Sequence, residues 1–151
     1  MEITQTQIED YFNLLKSFLL RSENIFTPDD IKLQIKKQDG GGVYFIFDND
    51  KLCYVGESGS LFGRLKDFHR TLNHTFRRSL GEYLYAEHPK YSKASSKNKF
   101  DDEIEKSLDE YIQNKITISY KPILIGRKEF EDWMQERHPD IKFLNKRKKR
   151  K

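Results

Sequence analysis

Two tyrosines stand beside glycines in neighbouring apolar runs of this 151-residue chain. Gly42-Val43-Tyr44 opens the first run and Tyr54-Val55-Gly56 closes the second, with the polar residues 48–51 (DNDK) between them. A tyrosine hydroxyl can exchange protons, but its ordinary pKa near 10 requires a nearby cation or metal before it can act as a base. Strand tyrosines taken alone more often pack in a core with a hydrated hydroxyl. This pair therefore suggests acid–base chemistry only if charged groups join it.

The register of the hairpin decides whether the two tyrosines share a face of the sheet. If Phe47 pairs with Lys51, the loop has three residues and Tyr44 lies directly opposite Tyr54. If Phe47 pairs with Leu52, the loop has four residues and the tyrosines point to opposite faces. Both loop lengths are common, so composition leaves both registers open.

The elements around the hairpin must hold these groups in place. Apolar residues at helical spacing predict five helices, over residues 3–21, 60–70, 76–88, 100–114 and 127–138. Alternation predicts a strand at residues 31–37, with Ile31, Leu33 and Ile35 on one face, and another at 116–126, where Pro122 favours an edge or a bulge. This order predicts an α+β fold: a small, mostly antiparallel three-stranded sheet flanked by helices, with an N-terminal helix and strand added.

The positive charge of the chain is concentrated at its end. The formal net charge is +4, but the last six residues, 146–151 (KRKKRK), are all basic. Without them, 22 Lys and Arg stand against 24 Asp and Glu, a net charge of −2. Such a tail, which begins with Lys146 and Arg147, can bind phosphates without sequence preference. It can equally be a solvated, disordered terminus.

Several classes of protein are disfavoured by composition. The single Cys53 excludes an intrachain disulfide and a multi-cysteine metal site. No apolar run approaches the roughly 18 residues needed to span a membrane. The first ten residues lack the basic and apolar regions of a signal peptide, so we expect a cytoplasmic protein.

Taken in order, these motifs resemble the GIY-YIG nuclease superfamily. The resemblance spans residues 40–145. It rests on the two tripeptides and on an arginine ten residues after the second tyrosine. It rests also on a later helix that carries a glutamate and is followed by a proline and then an asparagine. In this sequence the residues after the tripeptides are Arg64, Glu131, Pro139 and Asn145. The domain organisation that follows is an N-terminal extension over 1–39, a nuclease-like domain over 40–145 and a basic tail over 146–151.

The resemblance implies a metal-dependent endonuclease that hydrolyses DNA phosphodiester bonds, with RNA also open as a substrate. In this interpretation Tyr44 accepts the proton of the attacking water and Tyr54 makes a hydrogen bond nearby. Arg64 contacts a phosphate oxygen with its planar fork of donors, a geometry that lysine does not reproduce. Glu131 holds Mg²⁺ or Mn²⁺, because these hard ions prefer carboxylate oxygen. Asn145 supplies a polar contact to phosphate or to these groups.

The identity of the glutamate is open on periodicity alone. Glu129 and Glu131 both flank the buried side of their helix, which is marked by Phe130, Trp133 and Met134. The motif spacing favours Glu131, because an apolar residue follows three positions later and Asn145 fourteen positions later.

The auxiliary acid–base group is the main departure from the family pattern. Many members place a His or Tyr one helical turn after the arginine. Here that position is Phe68, and we expect this side chain to lie in the core. His69 can replace it if the helix ends early, and His74 is a second candidate. Each histidine can also be a surface or cap residue.

Other functions remain alternatives. Arg77, Arg78, His74, Lys146 and Arg147 could contact a nucleic-acid backbone, either within a nuclease or in a binding module whose catalytic site is degenerate. A partner-binding role for the apolar stripe of residues 3–21 is a third interpretation. No helix-turn-helix or zinc finger is visible, so the sequence does not indicate a base specificity. It does not indicate an oligomeric state either. The family resemblance predicts that Tyr44 and Tyr54 share a face, which favours the three-residue loop. A four-residue loop would place them on opposite faces unless a bulge compensates.

Overall fold

Helices alternate with a short sheet along the chain. The computed structural model describes residues 2–66, 68 and 74–145. The helices within these ranges are α1 (Gln5–Leu20), α2 (Pro28–Gln34), α3 (Leu61–Leu65), α4 (Thr75–Tyr85), α5 (Asp102–Lys115) and α6 (Arg127–Arg137). The strands are β1 (Gly42–Asp48), β2 (Lys51–Ser58) and β3 (Ile116–Pro122).

The three strands form one antiparallel sheet in the order β2-β1-β3. The predicted α+β class with a small antiparallel sheet is therefore confirmed. Pro122 ends β3, which is an edge strand, as the proline suggested. None of the helices in the described part of the chain combines the length and apolar character that crossing a bilayer requires.

Apolar side chains cover both faces of the sheet and divide the core into two layers. Even-numbered strand residues such as Tyr44 and Ile46 pack with α2, α3, α4 and α5. Odd-numbered residues such as Phe45 and Val55 pack with α1 and α6. The hairpin is buried on both faces, so each tyrosine must lie within one of these layers.

The prediction of a strand at residues 31–37 is wrong. The first four of these residues belong to helix α2, which begins at Pro28. Thr27 caps the helix by accepting a hydrogen bond from the Asp30 N–H at 3.2 Å, and Pro28 occupies the first helical turn. Ile31 and Ile35 are buried at helical spacing, whereas Leu33 is 84% exposed. The alternating pattern was therefore coincidental. The extended residue that joins β3 is Phe26, which exchanges two backbone hydrogen bonds of 2.8 Å with Ile118.

A two-residue turn connects β1 to β2, so neither predicted loop length is right. Asp48 pairs with Lys51, and the turn residues Asn49 and Asp50 have φ angles of 50° and 66°. Such positive φ angles at both central positions are typical of a type I′ turn, which matches the twist of paired strands. The Tyr111 hydroxyl donates to the Asp48 carboxylate at 2.7 Å and ties the turn to α5.

A β-bulge at Cys53 sets the register of the hairpin. Phe47 pairs with Leu52, but Ile46 pairs with Tyr54, so Cys53 is one extra residue on β2. Tyr44 is opposite Gly56, and the predicted direct pairing with Tyr54 is wrong. The extra residue nevertheless returns Tyr54 to the face of Tyr44 and Ile46, where all three share one core layer.

Candidate active site

Tyr44 and Tyr54 lie side by side on the α3 face of the hairpin. Their ring centroids are 6.1 Å apart and their planes differ by 18°. The residues are 2% and 6% exposed, so the two stacked rings lie within the core. The bulge thus brings together two phenol groups that a regular four-residue loop would have separated.

The glycines of the two tripeptides leave room for these contacts. A Cβ atom built on Gly56 would meet the ring and hydroxyl of Tyr44, with Cε1 at 2.7 Å. A Cβ atom on Gly42 would lie 2.7 Å from Cδ1 of Leu61 and 2.9 Å from the Pro122 Cα. Gly56 therefore lets Tyr44 cross over β2, and Gly42 lets α3 approach the sheet.

Arg64 reaches the tyrosines from α3. Ser60 caps this helix by accepting a hydrogen bond from the Gly63 N–H at 3.1 Å, and the Leu61 N–H donates to the Gly40 carbonyl at 2.9 Å. Arg64 is half-buried, and no carboxylate among the described residues forms an ion pair with it. A half-buried guanidinium of this kind is suited to bind an anion such as phosphate.

Glu131 approaches the same tyrosine from α6. It is 5% exposed, between the core residues Phe130 and Met134, whereas Glu129 is exposed beside an apolar surface groove. The charge of Glu131 acts on Tyr44, and so does the charge of Arg64. Since α3 and α6 pack against opposite faces of the sheet, the two charges act on Tyr44 from different sides of the hairpin.

The pKa of Tyr44 reflects this environment. Burial raises it well above the ordinary value of 10, and Tyr54 and Glu131 raise it further, while the charge of Arg64 lowers it. Tyr44 is therefore a neutral phenol at neutral pH. It can donate a hydrogen bond or hold a water molecule, and further positive charge is needed before it accepts a proton.

Asn145 joins the C-terminal segment to the outer edge of β2. Its Nδ2 donates to the Val55 carbonyl, and the neighbouring Leu144 N–H donates to the Cys53 carbonyl at 2.9 Å. Gln135, one turn after Glu131 on α6, donates to the Asn145 carbonyl at 3.1 Å. The carbonyl of the bulge residue is thereby paired, and the edge strand is covered.

Oxygen donors suited to a hard divalent ion are present but few. Glu131 supplies a nearly buried carboxylate, and Oδ1 of Asn145 is buried and accepts no hydrogen bond from any described residue. Residues 2–66, 68 and 74–145 contain no group of three or more His, Cys, Asp and Glu that could hold a metal. Glu131 and Asn145 therefore offer oxygen donors compatible with a divalent ion, but they do not by themselves form a metal site.

Arg77 does not have the exposed position expected of a nucleic-acid contact. It is fully buried, and its guanidinium pairs with Asp109 at 2.7 Å and Glu105 at 3.2 Å. It also donates to the Phe68 carbonyl at 2.8 Å. Arg77 instead joins α4 to α5, because its positive charge satisfies acidic residues of α5. Its neighbour Arg78 is half-buried beside Thr75.

His74 is likewise a buried helix cap and not a surface contact. Its Nδ1 accepts a hydrogen bond from the Arg77 N–H at 3.4 Å, and its ring packs on Phe68 with centroids 4.5 Å apart. Phe68 is a core residue, as predicted. His69 lies outside the described residues, as do the tail residues Lys146 and Arg147.

Sequence reasoning missed an ion pair beside the site. Arg127, the first residue of α6, pairs with Glu57 on β2, with Nη1 and Oε2 3.4 Å apart. The spacing of these residues could have suggested that both lie near the site. Arg127 precedes Glu131 by one helical turn, and Glu57 directly follows Gly56.

Comparison with known proteins bears on the whole arrangement. A family model described as the GIY-YIG catalytic domain matches residues 26–147 of the 151, a range that contains Tyr44, Tyr54, Arg64, Glu131 and Asn145. No curated protein and no solved structure gives a significant match. GIY-YIG domains are nuclease domains that generally use divalent metal ions, and nucleic acid is the substrate class this implies. The chain belongs to the GIY-YIG catalytic domain family.

Proposed function

We propose that this protein is a metal-dependent endonuclease that hydrolyses DNA phosphodiester bonds. The observation that carries the proposal is the environment of Tyr44, whose buried ring stacks with that of Tyr54 and whose pKa responds to the charges of Arg64 and Glu131. Phosphodiester hydrolysis needs an oriented water, positive charge on the phosphate and stabilisation of the leaving oxygen. These four residues can provide the first two requirements.

Arg64 binds the scissile phosphate in this mechanism. Its guanidinium is half-buried on α3, and no described carboxylate competes for it in an ion pair. Two parallel N–H donors can contact two phosphate oxygens, which orients the phosphorus relative to the tyrosines. Arg64→Lys keeps the charge and loses the fork, so this variant should retain little of the activity.

Tyr44 and Tyr54 orient the attacking water. The Tyr44 hydroxyl is protonated in the free protein, because burial raises its pKa. Its oxygen can still accept a hydrogen bond from water. Positive charge gathered at the site would lower the pKa of Tyr44, so that its proton leaves to solvent and the resulting phenolate can accept a proton from the attacking water, which couples base catalysis to substrate and metal binding.

Glu131 holds the divalent ion, and Asn145 offers a buried amide oxygen beside the same helix. When bound, Mg²⁺ or Mn²⁺ supplies positive charge that stabilises the phosphate in the transition state. Because one carboxylate is a weak ligand set, the ion should bind tightly only together with nucleic acid. His69 is proposed as the auxiliary proton donor.

The nucleic-acid backbone on either side of the site is proposed to contact Lys146, Arg147 and Arg78. The tail follows directly after Asn145, which is hydrogen-bonded to the β2 edge. Such contacts strengthen binding without reading the base sequence.

Plasmid cleavage tests the proposal. Purified protein is incubated with supercoiled DNA and Mg²⁺, Mn²⁺ or EDTA, with single-stranded and double-stranded RNA as parallel substrates. Nicking that requires the metal and is abolished in Glu131→Ala and Arg64→Ala is the expected result. Cleavage that survives both substitutions would refute the assigned site, and cleavage of RNA alone would refute the assigned substrate.

A catalytically degenerate nucleic-acid-binding module is the second candidate. The observation that favours it is Phe68, a buried core residue at the position where many family members carry an acid–base side chain. This function gives salt-sensitive binding with no metal-dependent turnover. Clear nicking in the plasmid assay would exclude it.

A further inference from the structure

The Arg127–Glu57 ion pair is partly shielded from solvent. The two side chains are 32% and 14% exposed, and Nη1 and Oε2 are 3.4 Å apart. Charges in such a position are screened less than those on an open surface, where an ion pair contributes little. Nη1 makes no hydrogen bond to any described residue, so the attraction to Glu57 is one of charge, and it draws the first turn of α6 towards the end of β2.

The backbone around Arg127 gathers several elements at one place. A Cβ atom added to Gly41 or to Gly59 would lie 3.3 Å from Nη1 of Arg127, so the guanidinium lies close to both glycines. The Gly41 carbonyl accepts from the Ile123 N–H at 3.1 Å, just after β3. The preceding carbonyl, of Gly40, accepts from the first residue of α3. Arg127 thus lies where the start of β1, the end of β2 and the first turns of α3 and α6 meet.

Three of these elements, β1, α3 and α6, each carry one group of the proposed site. Tyr44 is on β1, Arg64 is on α3 and Glu131 is on α6. Arg127 and Glu131 are separated by one turn and lie on one side of α6. A small rotation or shift of α6 about its first turn would move the Glu131 carboxylate relative to Tyr44, although both residues would stay buried.

We propose that Arg127, held by Glu57, is a positioning residue that fixes α6 against β2 and keeps Glu131 aligned with Tyr44 and Arg64. This inference rests on the proposed nuclease function. Arg127 is engaged with Glu57 and is not itself assigned to the phosphate. Its removal should therefore slow the chemical step and weaken metal binding without weakening DNA binding.

The test compares two arginines at opposite ends of the same helix. Arg127→Ala breaks the pair with Glu57, and the control Arg137→Ala breaks the pair with Glu9 on α1. We expect Arg127→Ala to slow single-turnover cleavage about 10- to 100-fold, the size of effect that a displacement of about 1 Å can cause. The Mn²⁺ concentration for half-maximal rate should rise, and the DNA Kd should stay within about twofold. The control should cleave like the wild type.

Two further measurements separate positioning from loss of folding. The charge-swapped double variant Glu57→Arg/Arg127→Glu should recover most of the cleavage rate, because the opposite charges again join α6 to β2. Hydrogen exchange provides a readout that does not depend on activity. The amides of Leu61 and Ile123 should exchange about tenfold faster in Arg127→Ala, whereas the Phe26 amide, bonded to Ile118 elsewhere in the sheet, should be unchanged.

The possible results distinguish this inference from the proposed function. Equal cleavage rates and metal dependence in Arg127→Ala and Arg137→Ala would overturn the inference, as would unchanged exchange at Leu61 and Ile123. A wild-type protein that cleaves no nucleic acid would contradict the nuclease function and the catalytic part of this inference. Faster exchange in Arg127→Ala would then still support the structural role of the ion pair.

Discussion

Replacing Gly56 with alanine introduces a methyl group where the ring of Tyr44 crosses β2. The added Cβ would lie 2.7 Å from Cε1 and closer still to Cζ and the hydroxyl, whereas ordinary carbon contacts begin near 3.4 Å. The ring has little freedom to retreat, because Tyr44 is almost fully buried and lies against Tyr54. Either the ring or the backbone of β2 must therefore shift, by an amount on the order of 1 Å.

The cost follows from two opposing effects. Overpacking a buried site typically costs about 1–3 kcal/mol. Replacing a strand glycine returns about 0.5–1 kcal/mol, because alanine loses less chain entropy on folding. We expect a net loss of about 1–2 kcal/mol, which lowers the Tm by roughly 2–8 °C for a chain of this size. Cleavage should fall by about 10²-fold, since the Tyr44 hydroxyl moves with its ring.

Thermal and urea unfolding of Gly56→Ala, with and without Tyr44→Ala, measure this contact. In the Tyr44→Ala background the methyl group meets no ring, so Gly56→Ala should be neutral or stabilising, and the coupling free energy should be about 1–3 kcal/mol. The control is Gly63→Ala on α3, whose added Cβ would meet the Ser60 Oγ at 3.2 Å and no part of Tyr44, so its effect should be the same in both Tyr44 backgrounds. An equal cost of Gly56→Ala in both backgrounds would refute the steric argument.

Three more outcomes are expected. Arg77→Ala should destabilise the fold by about 2–4 kcal/mol in urea unfolding, because it leaves a cavity in place of a fully buried side chain and removes the donor to the Phe68 carbonyl, whereas Arg78→Ala should stay within about 0.5 kcal/mol; equal effects would contradict the assignment of Arg77 to the core. Deleting residues 146–151 should make DNA binding less sensitive to salt. In fluorescence anisotropy, the slope of log K against log salt concentration should become shallower by about 0.9 for each phosphate that the tail neutralises in the wild type. An unchanged slope would show that the tail does not contact the DNA. The pKa of Tyr44 is raised in the folded state, so its stabilising contribution is present below pH about 10 and disappears as pH rises through the folded pKa. Absorbance at 295 nm should therefore show no Tyr44 titration below pH about 10 when the wild type is compared with Tyr44→Phe, and an earlier difference would disprove the burial argument.

The sheet was predictable from the sequence because its strands carry an apolar, β-branched and aromatic pattern. The N-terminal helix was also predictable, but the structure of residues 31–37 was not, because Ile31, Leu33 and Ile35 satisfy a strand pattern while the first and last of them also satisfy helical spacing. Thr27 and Pro28 are the signals that favour a helix start, and the structure shows that these local signals prevail over alternation.

The site was predictable only in part. The shared face of Tyr44 and Tyr54 followed from the motif resemblance, but its cause did not. A bulge at Cys53 and a two-residue turn produce it, and the carbonyl of the bulge residue accepts a hydrogen bond from Leu144, far along the chain. Long-range contacts also explain why the sequence suggested Arg77 as a nucleic-acid contact although its side chain is buried. Adjacent arginines on a helix look alike in sequence, and only the acidic face of α5 determines which of them is buried.

The choice between the two glutamates of α6 is the most direct test of the proposed nuclease site. Glu131→Gln removes the charge of the nearly buried carboxylate, and Glu129→Gln makes the same change at an exposed position two residues away. Single-turnover cleavage of plasmid DNA in Mn²⁺ should fall at least about 100-fold in Glu131→Gln and stay close to wild type in Glu129→Gln. Full activity in Glu131→Gln, or an equal loss in the two variants, would contradict the account.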